Sequence, residues 1–281
     1  MTNTATGAAV MKVIEAYAPD AQRLFDDPII ARLLPAPART LIAVGPVRGW
    51  FARRIERSNP GLLGGLVCRT RQFDDVTRRA VAEGVTSVVI LGSGFDTRAY
   101  RMPELSGACV FEVDLPDVIK KKRAALARAG VSADHVRFVA TDFETEDVSE
   151  RLAAFGWDRA SRTIFLWEGV TQYVARQAVD AALRFIAGMS SGSEVCFTYV
   201  PQEVIEGRST RAGAEIARRF VAQGTWVTGF DPATLAAELA ALGLDLVEDV
   251  GAAEYQGRYL APCGRTLTVF EIERVAVARV S

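Results

Sequence analysis

Four apolar segments of the chain are each followed within two residues by a glycine turn or by an acidic residue. The segments span about residues 86–91, 109–113, 136–140 and 163–167. The residues that follow them are Gly92-Ser93-Gly94, Asp114, Asp142-Phe143 and Glu168. Short apolar runs of this kind predict buried strands of a parallel sheet. The carboxyl ends of parallel strands meet at one edge, where open α/β sheets bind their ligands. The spacing therefore predicts one polar site built from four strands.

The residue types at this edge suit a ligand that contains a nucleoside. Gly92 and Gly94 have no Cβ, so the backbone can approach the ligand closely. Asp114 follows the turn by about twenty residues, where a carboxylate accepts hydrogen bonds from ribose hydroxyls. The Asp142-Phe143 pair suits an adenine, because the carboxylate can accept from the exocyclic amine and the phenyl ring can cover the base. Dehydrogenases and S-adenosylmethionine (SAM) methyltransferases share these devices, but the turn ends in Thr97 instead of a third glycine, which disfavours NAD.

The order of the predicted elements favours a methyltransferase sheet over a dehydrogenase sheet. Strand and helix patterns alternate up to a fifth strand at 194–200, as expected of an α/β protein with a parallel sheet. Two further strands are predicted at 244–250 and 265–272, and the segment between them is too short for a crossover helix. They should therefore pair antiparallel. The prediction is the Rossmann-like, seven-stranded sheet of class I SAM methyltransferases, mostly parallel with an antiparallel last strand.

Residues 1–82 and 83–281 are predicted to form two parts. The first has helical spacing interrupted by prolines and is interpreted as an N-terminal helical cap. The second is the methyltransferase core, with an insertion at about 201–230 that carries Trp226. Because this insertion follows the carboxyl end of the fifth strand, we expect it to form a lid over the site.

Composition excludes several classes of function. The 281 residues carry a net charge of −1, so no global field attracts nucleic acid or a membrane. The four cysteines are scattered, and the sequence predicts neither disulfides nor a metal site. No secretion signal or membrane-spanning run is seen, so we expect a cytoplasmic protein. The single histidine, His135, precedes the third strand and should lie at the opposite edge of the sheet.

Several ordered motifs resemble those of the leucine carboxyl methyltransferase-like family, which includes bacterial O-methyltransferases of polyketide and other secondary-metabolite pathways. Residues 91–101, LGSGFDTRAYR, resemble its L-G-x-G-x-D-T-R-x-x-R signature, and residues 111–116, FEVDLP, resemble its E-V-D-x-P motif. Residues 68–75, CRTRQFDD, are similar to R-T-R-x-x-D-D, and residues 168–174, EGVTQYV, to E-G-x-x-x-Y. Residues 198–200, TYV, resemble the end of its fifth strand. The resemblance runs from about residue 19 to the C-terminus.

The resemblance implies a role for each matching residue. Arg71 would grip the carboxylate of the SAM methionine, and the Gly92-Ser93-Gly94 turn would line the methionine arm. Leu115 would join Asp142 and Phe143 at the adenine, and Glu168 would lie near the sulfonium. The residues expected at the acceptor are Gln172, Tyr173, Tyr199 and Trp226, with Tyr173 as the catalytic residue at the methyl-transfer centre.

Structural interpretations of the same residues stay open at this point. Arg71 can instead pair with Asp74 or Asp75 on its own helix, and Tyr173 can be an ordinary packing aromatic. The sequence predicts a SAM-dependent O-methyltransferase that yields S-adenosylhomocysteine (SAH) and acts on a carboxyl or hydroxyl oxygen of a small molecule. The alternatives are a protein C-terminal carboxyl methyltransferase and an NAD-dependent oxidoreductase. The sequence does not predict the acceptor or the oligomeric state.

Overall fold

Seven strands form one mixed sheet in the computed structural model, which describes residues 2–142 and 145–281. The strands are β1 (Ser87–Leu91), β2 (Cys109–Asp114), β3 (Val136–Ala140), β4 (Thr163–Trp167), β5 (Glu194–Tyr199), β6 (Leu244–Val250) and β7 (Arg274–Val280). Their spatial order is β3-β2-β1-β4-β5-β7-β6. The first five pair in parallel, and β7 pairs antiparallel with both β5 and β6. The predicted seven-stranded α/β sheet is confirmed.

Helices precede the sheet and cover both of its faces. They are α1 (Thr2–Ala16), α2 (Ile30–Leu33), α3 (Ala36–Ala43), α4 (Gly45–Ser58), α5 (Leu62–Ala82), α6 (Arg98–Arg101), α7 (Pro116–Ala129), α8 (Val148–Ala154), α9 (Arg176–Ala187), α10 (Gln202–Ile205), α11 (Ala214–Ala222), α12 (Leu235–Leu242) and α13 (Ala252–Tyr255). Short 3-10 turns occur at Pro103–Gly107, Thr171–Tyr173 and Ala261–Cys263, and a π-helical turn at Gln256–Leu260. None of the helices in the described ranges is long and apolar enough to cross a bilayer.

Two hydrophobic clusters lie on the two faces of the sheet. On one face, Phe73 and Leu66 of α5 pack with alternate side chains of the strands, such as Val88 and Ile164. On the other face, the opposite set of strand side chains packs with α9 and α12, as Leu183 does. Every residue of β1, β4 and β5 is buried. Burial on both faces explains why 88–91 of β1 and 164–167 of β4 are continuous apolar runs without polar alternation.

The last strand begins later than predicted. The segment 265–272 was expected to form it, but β7 is Arg274–Val280. The earlier segment instead crosses α5, where Gly64 and Gly65 have no Cβ, so that Thr268 and the ring of Phe270 approach the helix closely. Both segments are apolar enough for a strand, so the pattern alone did not decide between them. The predicted antiparallel pairing still holds.

The insertion at 201–230 contains α10 and α11 and a small cluster of its own. Phe220 stacks on Trp226 with ring centroids 5.0 Å apart. Tyr173, which follows β4, makes a T-shaped contact with Trp226, with ring centroids 6.2 Å apart. Leu62, at the start of α5, packs against the same cluster. The insertion is therefore anchored to the end of β4 and to α5.

Candidate functional site

The strand register places the predicted site residues side by side. Leu91 of β1 pairs with Val113 of β2, so the glycine turn that begins at Gly92 lies next to Asp114. Ile90 pairs with Leu166 of β4, so Glu168 lies beside the turn on its other side. The structure thus brings the ends of three neighbouring strands together at one edge.

The glycine turn has a backbone that only glycine tolerates easily. Gly92 and Gly94 have φ values of 67° and 41°, in the left-handed region that other residues avoid. A Cβ on Gly92 would also overlap a methyl group of Val170. The turn is held from behind by Lys122, which is fully buried and whose Nζ donates to the carbonyl oxygen of Ser93 at 3.3 Å. The hydroxyl of Ser93 is buried and has no hydrogen-bond partner within the described residues.

Asp114 is fixed by the backbone on both sides. Its Oδ2 accepts from the amide of Gly94 and its Oδ1 from the amide of Leu115, each at 2.7 Å. Burial raises the pKa of this carboxyl group, although the two amide donors oppose the shift. A carboxylate offers about four lone-pair positions, and these two bonds use half of them. Asp114 therefore has room to accept from two ligand hydroxyls.

Glu168 is the centre of a buried charge cluster. Its carboxylate accepts from Arg98 at 2.7 Å and from Arg69 at 3.0 Å, and Nζ of Lys12 lies 3.8 Å away. Burial alone would raise the pKa of Glu168, but the charges of Lys12, Arg98 and Arg69 outweigh it and hold the pKa well below its ordinary value. This carboxylate is therefore ionised across the physiological pH range, and its oxygens are already bound to Arg98 and Arg69.

Lys12, on α1, lies beside Glu168 and was not identified by the sequence analysis. Its side chain is 9% exposed, and burial lowers the pKa of the ammonium despite the nearby charge of Glu168. Among the described residues its contact is the 3.8 Å ion pair, which is longer than a hydrogen bond. A desolvated ammonium without a short partner is costly unless an anion completes it. The position thus suits the carboxylate of a bound ligand.

Arg71 makes its contacts away from the strand ends. Its guanidinium donates to Asp75 at 2.9 Å and to the carbonyl oxygen of Leu24 at 2.8 Å, away from Glu168. The residue that reaches Glu168 is Arg69, which also binds Glu273 at 2.7 Å. Two positions along a helix turn the side chain by about 200°, so the two arginines of the R-T-R motif point in nearly opposite directions. On this geometry Arg69 is the candidate arginine at Glu168, and the role assigned to Arg71 stays a prediction.

The adenine end of the predicted site is described only in part. Phe143 lies outside the described residues. Asp142 is half-buried, and its amide donates to Oε2 of Glu146 at 3.1 Å. Leu115 is also half-buried and follows Asp114 directly. Both residues lie at the carboxyl edge, where the sequence analysis put them, and their contact with a base stays a prediction.

The residues predicted at the acceptor divide into two groups. Tyr173 is half-buried against Trp226, and the amide of Val227 donates to the carbonyl oxygen of Gln172 at 2.8 Å. Gln172 and Trp226 are both buried, with 3% and 8% of their surface exposed. Oε1 of Gln172 and Nε1 of Trp226 have no hydrogen-bond partner in the described ranges. These three residues form one unit between the end of β4 and the insertion.

Tyr199 does not belong to that unit. It is fully buried, and its hydroxyl donates to Asp249 at 2.9 Å, within an ion pair that includes Arg274. Neighbouring residues of a strand face opposite sides of the sheet, and it is Thr198 whose hydroxyl accepts from the amide of Gly169 at 2.7 Å. Tyr199 is a core residue in this structure, a position that does not favour the predicted acceptor contact.

Comparison with known proteins identifies the family. The model of the leucine carboxyl methyltransferase family matches residues 5–187. The chain belongs to this family. A protein of Mycobacterium avium strain 104 named "Putative S-adenosyl-L-methionine-dependent methyltransferase" is 35% identical over 205 residues, 72% of this chain and 67% of its own length. A protein of Frankia alni with the same description is 32% identical over 222 residues, 78% of this chain and 76% of its own.

Solved structures show the same fold at low identity. An O-methyltransferase family protein from Burkholderia thailandensis superimposes with a TM-score of 0.53 and 13% identity, covering 85% of this chain and 61% of that one. A protein from Galdieria sulphuraria described as a "putative sarcosine dimethylglycine methyltransferase" gives a TM-score of 0.51 and 11% identity, covering 75% of this chain and 86% of that one. The fold is that of class I SAM methyltransferases.

This member of the leucine carboxyl methyltransferase family is a SAM-dependent methyltransferase, and its site fits that cofactor. The glycine turn has left-handed φ values at Gly92 and Gly94, and because neither residue has a Cβ its backbone can approach the ligand closely. Asp114 retains acceptor positions for ribose hydroxyls, and Lys12 offers a buried ammonium for a carboxylate. SAM presents these same groups, two ribose hydroxyls and an amino-acid carboxylate.

Proposed function

We propose that this methyltransferase acts on an oxygen of a small molecule, a carboxyl or a hydroxyl, and that a carboxylate is the favoured acceptor. The observation that carries the proposal is that neither Glu168 nor His135 is placed to act as a general base. Glu168 is held ionised by Arg98 and Arg69. His135 lies elsewhere, with its Nε2 2.8 Å from the carbonyl oxygen of Ala99. An acceptor that arrives already ionised needs no base.

The cofactor assignment follows the contacts of the strand ends. We assign the ribose hydroxyls to Asp114, and the carboxylate of the methionine arm to Lys12 and Arg69. Asp142 and Leu115 are assigned to the adenine. When bound, SAM supplies a methyl group that is already activated by the sulfonium, so the protein has to align the acceptor and exclude water.

Tyr173 and the insertion are assigned to the acceptor. Nε1 of Trp226 is a buried donor and Oε1 of Gln172 is a buried acceptor, each without a partner in the described part of the chain. Leaving such atoms unpaired costs roughly 1–3 kcal/mol each, which a ligand that bonds with them would recover. An acceptor with an oxygen for Trp226 and an O–H or N–H for Gln172 meets both needs. The polar pair thus supports an oxygenated acceptor.

The family name favours a carboxyl acceptor, so a protein C-terminus remains the second candidate. A peptide that ends in a free leucine carboxylate is therefore included beside small organic acids and phenols in the test below. Turnover of the peptide but of none of the small acids would replace the small-molecule proposal with the protein one.

The pH dependence of the rate distinguishes the acceptor classes. A carboxylic acid has a pKa of about 4 and is fully ionised from about pH 6 to about pH 9, so its methylation rate should be flat across that range. A phenol with a pKa of about 10 is mostly protonated there, and its rate should rise about tenfold per pH unit unless the protein supplies a base. We expect the flat profile, measured as kcat/KM with saturating SAM.

Tyr173→Phe is the matched variant for this experiment. With a carboxylate acceptor the variant should keep kcat within about threefold, because no proton has to be removed. Methylation of phenols alone, with a pH profile that Tyr173→Phe abolishes, would show instead a hydroxyl methyltransferase in which Tyr173 takes part in proton transfer.

A further inference from the structure

One helical pair carries a strongly basic and partly apolar surface outside the SAM site. It consists of α3 and α4, residues 36–58, and is called here the basic surface. The sequence from 28 to 55 contains no Asp or Glu, whereas residues 36–58 contain five arginines and one glutamate. The net charge of +4 on this segment contrasts with −1 for the whole chain. The chain as a whole has almost no net charge, but this segment produces a local positive field.

Large apolar side chains project from the same surface. Leu41, Val44 and Trp50 are 49%, 47% and 51% exposed. No residue of α4 is buried, although Ala52 and Ile55 rest partly buried against the core cluster. A shallow groove of about 420 Å³ lies along Trp50 and is lined wholly by apolar residues, Leu41, Pro46, Val47, Trp50 and Phe51. An exposed apolar patch of this kind marks an interaction site.

The arginines around the patch are available to a partner. Arg39, Arg53, Arg54 and Arg57 are exposed, and none of them pairs with an acid within the described residues. Arg54 lies 5.8 Å over the ring of Trp50, which keeps its charge beside the apolar patch.

The glutamate of the segment does not neutralise this charge. One of its oxygens, Oε1 of Glu56, accepts from the amide of Gly61 at 3.2 Å, where it stabilises the chain beyond α4. By contrast, Arg71, Arg78 and Arg79 on the neighbouring α5 each pair with an acid. The basic surface therefore presents its positive charges to the outside.

We propose that the basic surface docks on a membrane that contains anionic lipids. Arginines around a tryptophan and aliphatic side chains are what a helix needs at a bilayer interface, where phosphates meet the guanidinium groups and the apolar residues enter the acyl boundary. Tryptophan itself is enriched at that level. A second copy docked through the same face about a two-fold axis would bring the two positive segments together, which like-charge repulsion disfavours.

Vesicle binding tests this directly with the full-length enzyme. We expect it to co-sediment with vesicles of phosphatidylcholine mixed with phosphatidylglycerol and to bind vesicles of pure phosphatidylcholine at least about tenfold more weakly. Added salt should weaken the binding by screening. Trp157, Trp167 and Trp226 are buried, so a blue shift of tryptophan emission on vesicle binding would report Trp50, and Trp50→Phe should abolish it.

Two double variants test whether vesicle binding depends on the basic surface or on any basic residues of the chain. Arg53→Glu with Arg57→Glu should lower binding to anionic vesicles at least about tenfold. Lys120→Glu with Lys121→Glu makes the same charge change in the other basic run of the chain, on exposed positions of α7, and should leave binding within about twofold. Circular dichroism and thermal melts confirm that both variants are folded.

Three results would overturn the proposal. The first is absence of binding to anionic vesicles at low salt. The second is an equal loss of binding in the two double variants, which would show unspecific attraction. The third is a concentration-dependent dimer that the Arg53 and Arg57 variant dissolves, which would make the surface an interface between copies. Membrane docking does not depend on the acceptor, so it stands or falls separately from the proposed O-methylation.

Discussion

Replacing Lys12 by methionine is expected to weaken the binding of SAH about 30-fold. The ammonium is desolvated, and its 3.8 Å contact with Glu168 leaves its hydrogens for a ligand carboxylate. A hydrogen bond to a charged group contributes about 1.5–3 kcal/mol, and 2 kcal/mol corresponds to about a factor of 30. Glu168 keeps Arg98 and Arg69 as partners in the variant, so the fold should survive. Calorimetric titration measures the effect.

Arg71→Met is the control for Lys12→Met. It also replaces a cation by methionine, at the position that the motif resemblance assigns to the same carboxylate. Because Arg71 binds Asp75 and the carbonyl oxygen of Leu24, we expect SAH affinity to change by less than about twofold. A larger loss in Arg71→Met than in Lys12→Met would restore the original assignment and contradict the structural one.

The pH dependence of SAH binding adds an independent check on Lys12. Burial lowers the pKa of this ammonium, and only the charged form attracts a carboxylate. Affinity should therefore be full below the lowered pKa and should fall as the pH rises through it, earlier than an ordinary lysine at about 10.4 would allow. Lys12→Arg stays protonated and should show less of this fall. Identical alkaline profiles for the two proteins would exclude Lys12 from the contact.

Replacing Arg98 by methionine is expected to lower the free energy of unfolding by about 3–5 kcal/mol. Arg98 is fully buried. Its guanidinium binds Asp74 at 2.8 Å, Glu168 at 2.7 Å and the carboxylate of Asp96, and it also donates to the carbonyl oxygen of Thr70 at 3.1 Å. Removing one partner of a buried ion pair leaves an uncompensated charge, which costs about this much. Urea denaturation at neutral pH measures the loss.

Arg78→Met is the control for Arg98→Met. It tests whether losing any arginine that pairs with two carboxylates destabilises the protein as much. Arg78 also bridges two carboxylates, Asp75 and Glu104, each at 2.9 Å, but its side chain is 39% exposed. Exposed pairs contribute about 0–1 kcal/mol, so this variant should unfold within about 1 kcal/mol of the wild type. Equal losses in Arg78→Met and Arg98→Met would show that burial of the cluster is not what makes Arg98 essential.

The charge cluster also predicts how the wild type responds to acid. Burial would raise the pKa of Asp96 and Glu168, but the neighbouring cations outweigh it and lower both values. Carboxyl groups with lowered pKa values contribute stability above their unfolded pKa of about 4, and this stability is lost as the pH falls through the folded values. Arg98→Met should therefore lose less stability on acidification than the wild type does.

The sheet was predictable because strands that are buried on both faces have a recognisable apolar sequence pattern. β1 and β4 are unbroken apolar runs, and their ends carry the residues that the site requires. The segment 265–272 shows the limit of such patterns. It is apolar enough to form a strand, but close packing against Gly64 and Gly65 of α5 determines its place instead, and this tertiary contact leaves no local signal.

The site was predictable at the strand ends and less so on the helices. The positions of Asp114 and Glu168 at one edge of the sheet follow directly from the direction and register of the strands. Lys12 lies on a helix that reaches the site through packing with distant elements, and no spacing connects it with Glu168. The choice between Arg69 and Arg71 needs the orientation of α5, and that helix is buried along much of its circumference. Its apolar pattern therefore does not show which arginine faces the site.

Calorimetric titration of the wild type and of Asp114→Ala with SAH, with NAD as the comparison ligand, tests the central claim most directly. The claim is that the edge formed by Gly92, Asp114 and Glu168 holds SAM. It predicts SAH binding in the micromolar range, no binding of NAD, and an affinity at least about tenfold lower in the variant, because lost hydrogen bonds from ribose to a charged group cost about 1.5–3 kcal/mol. Unchanged SAH affinity in a folded Asp114→Ala protein would contradict it and place the cofactor elsewhere.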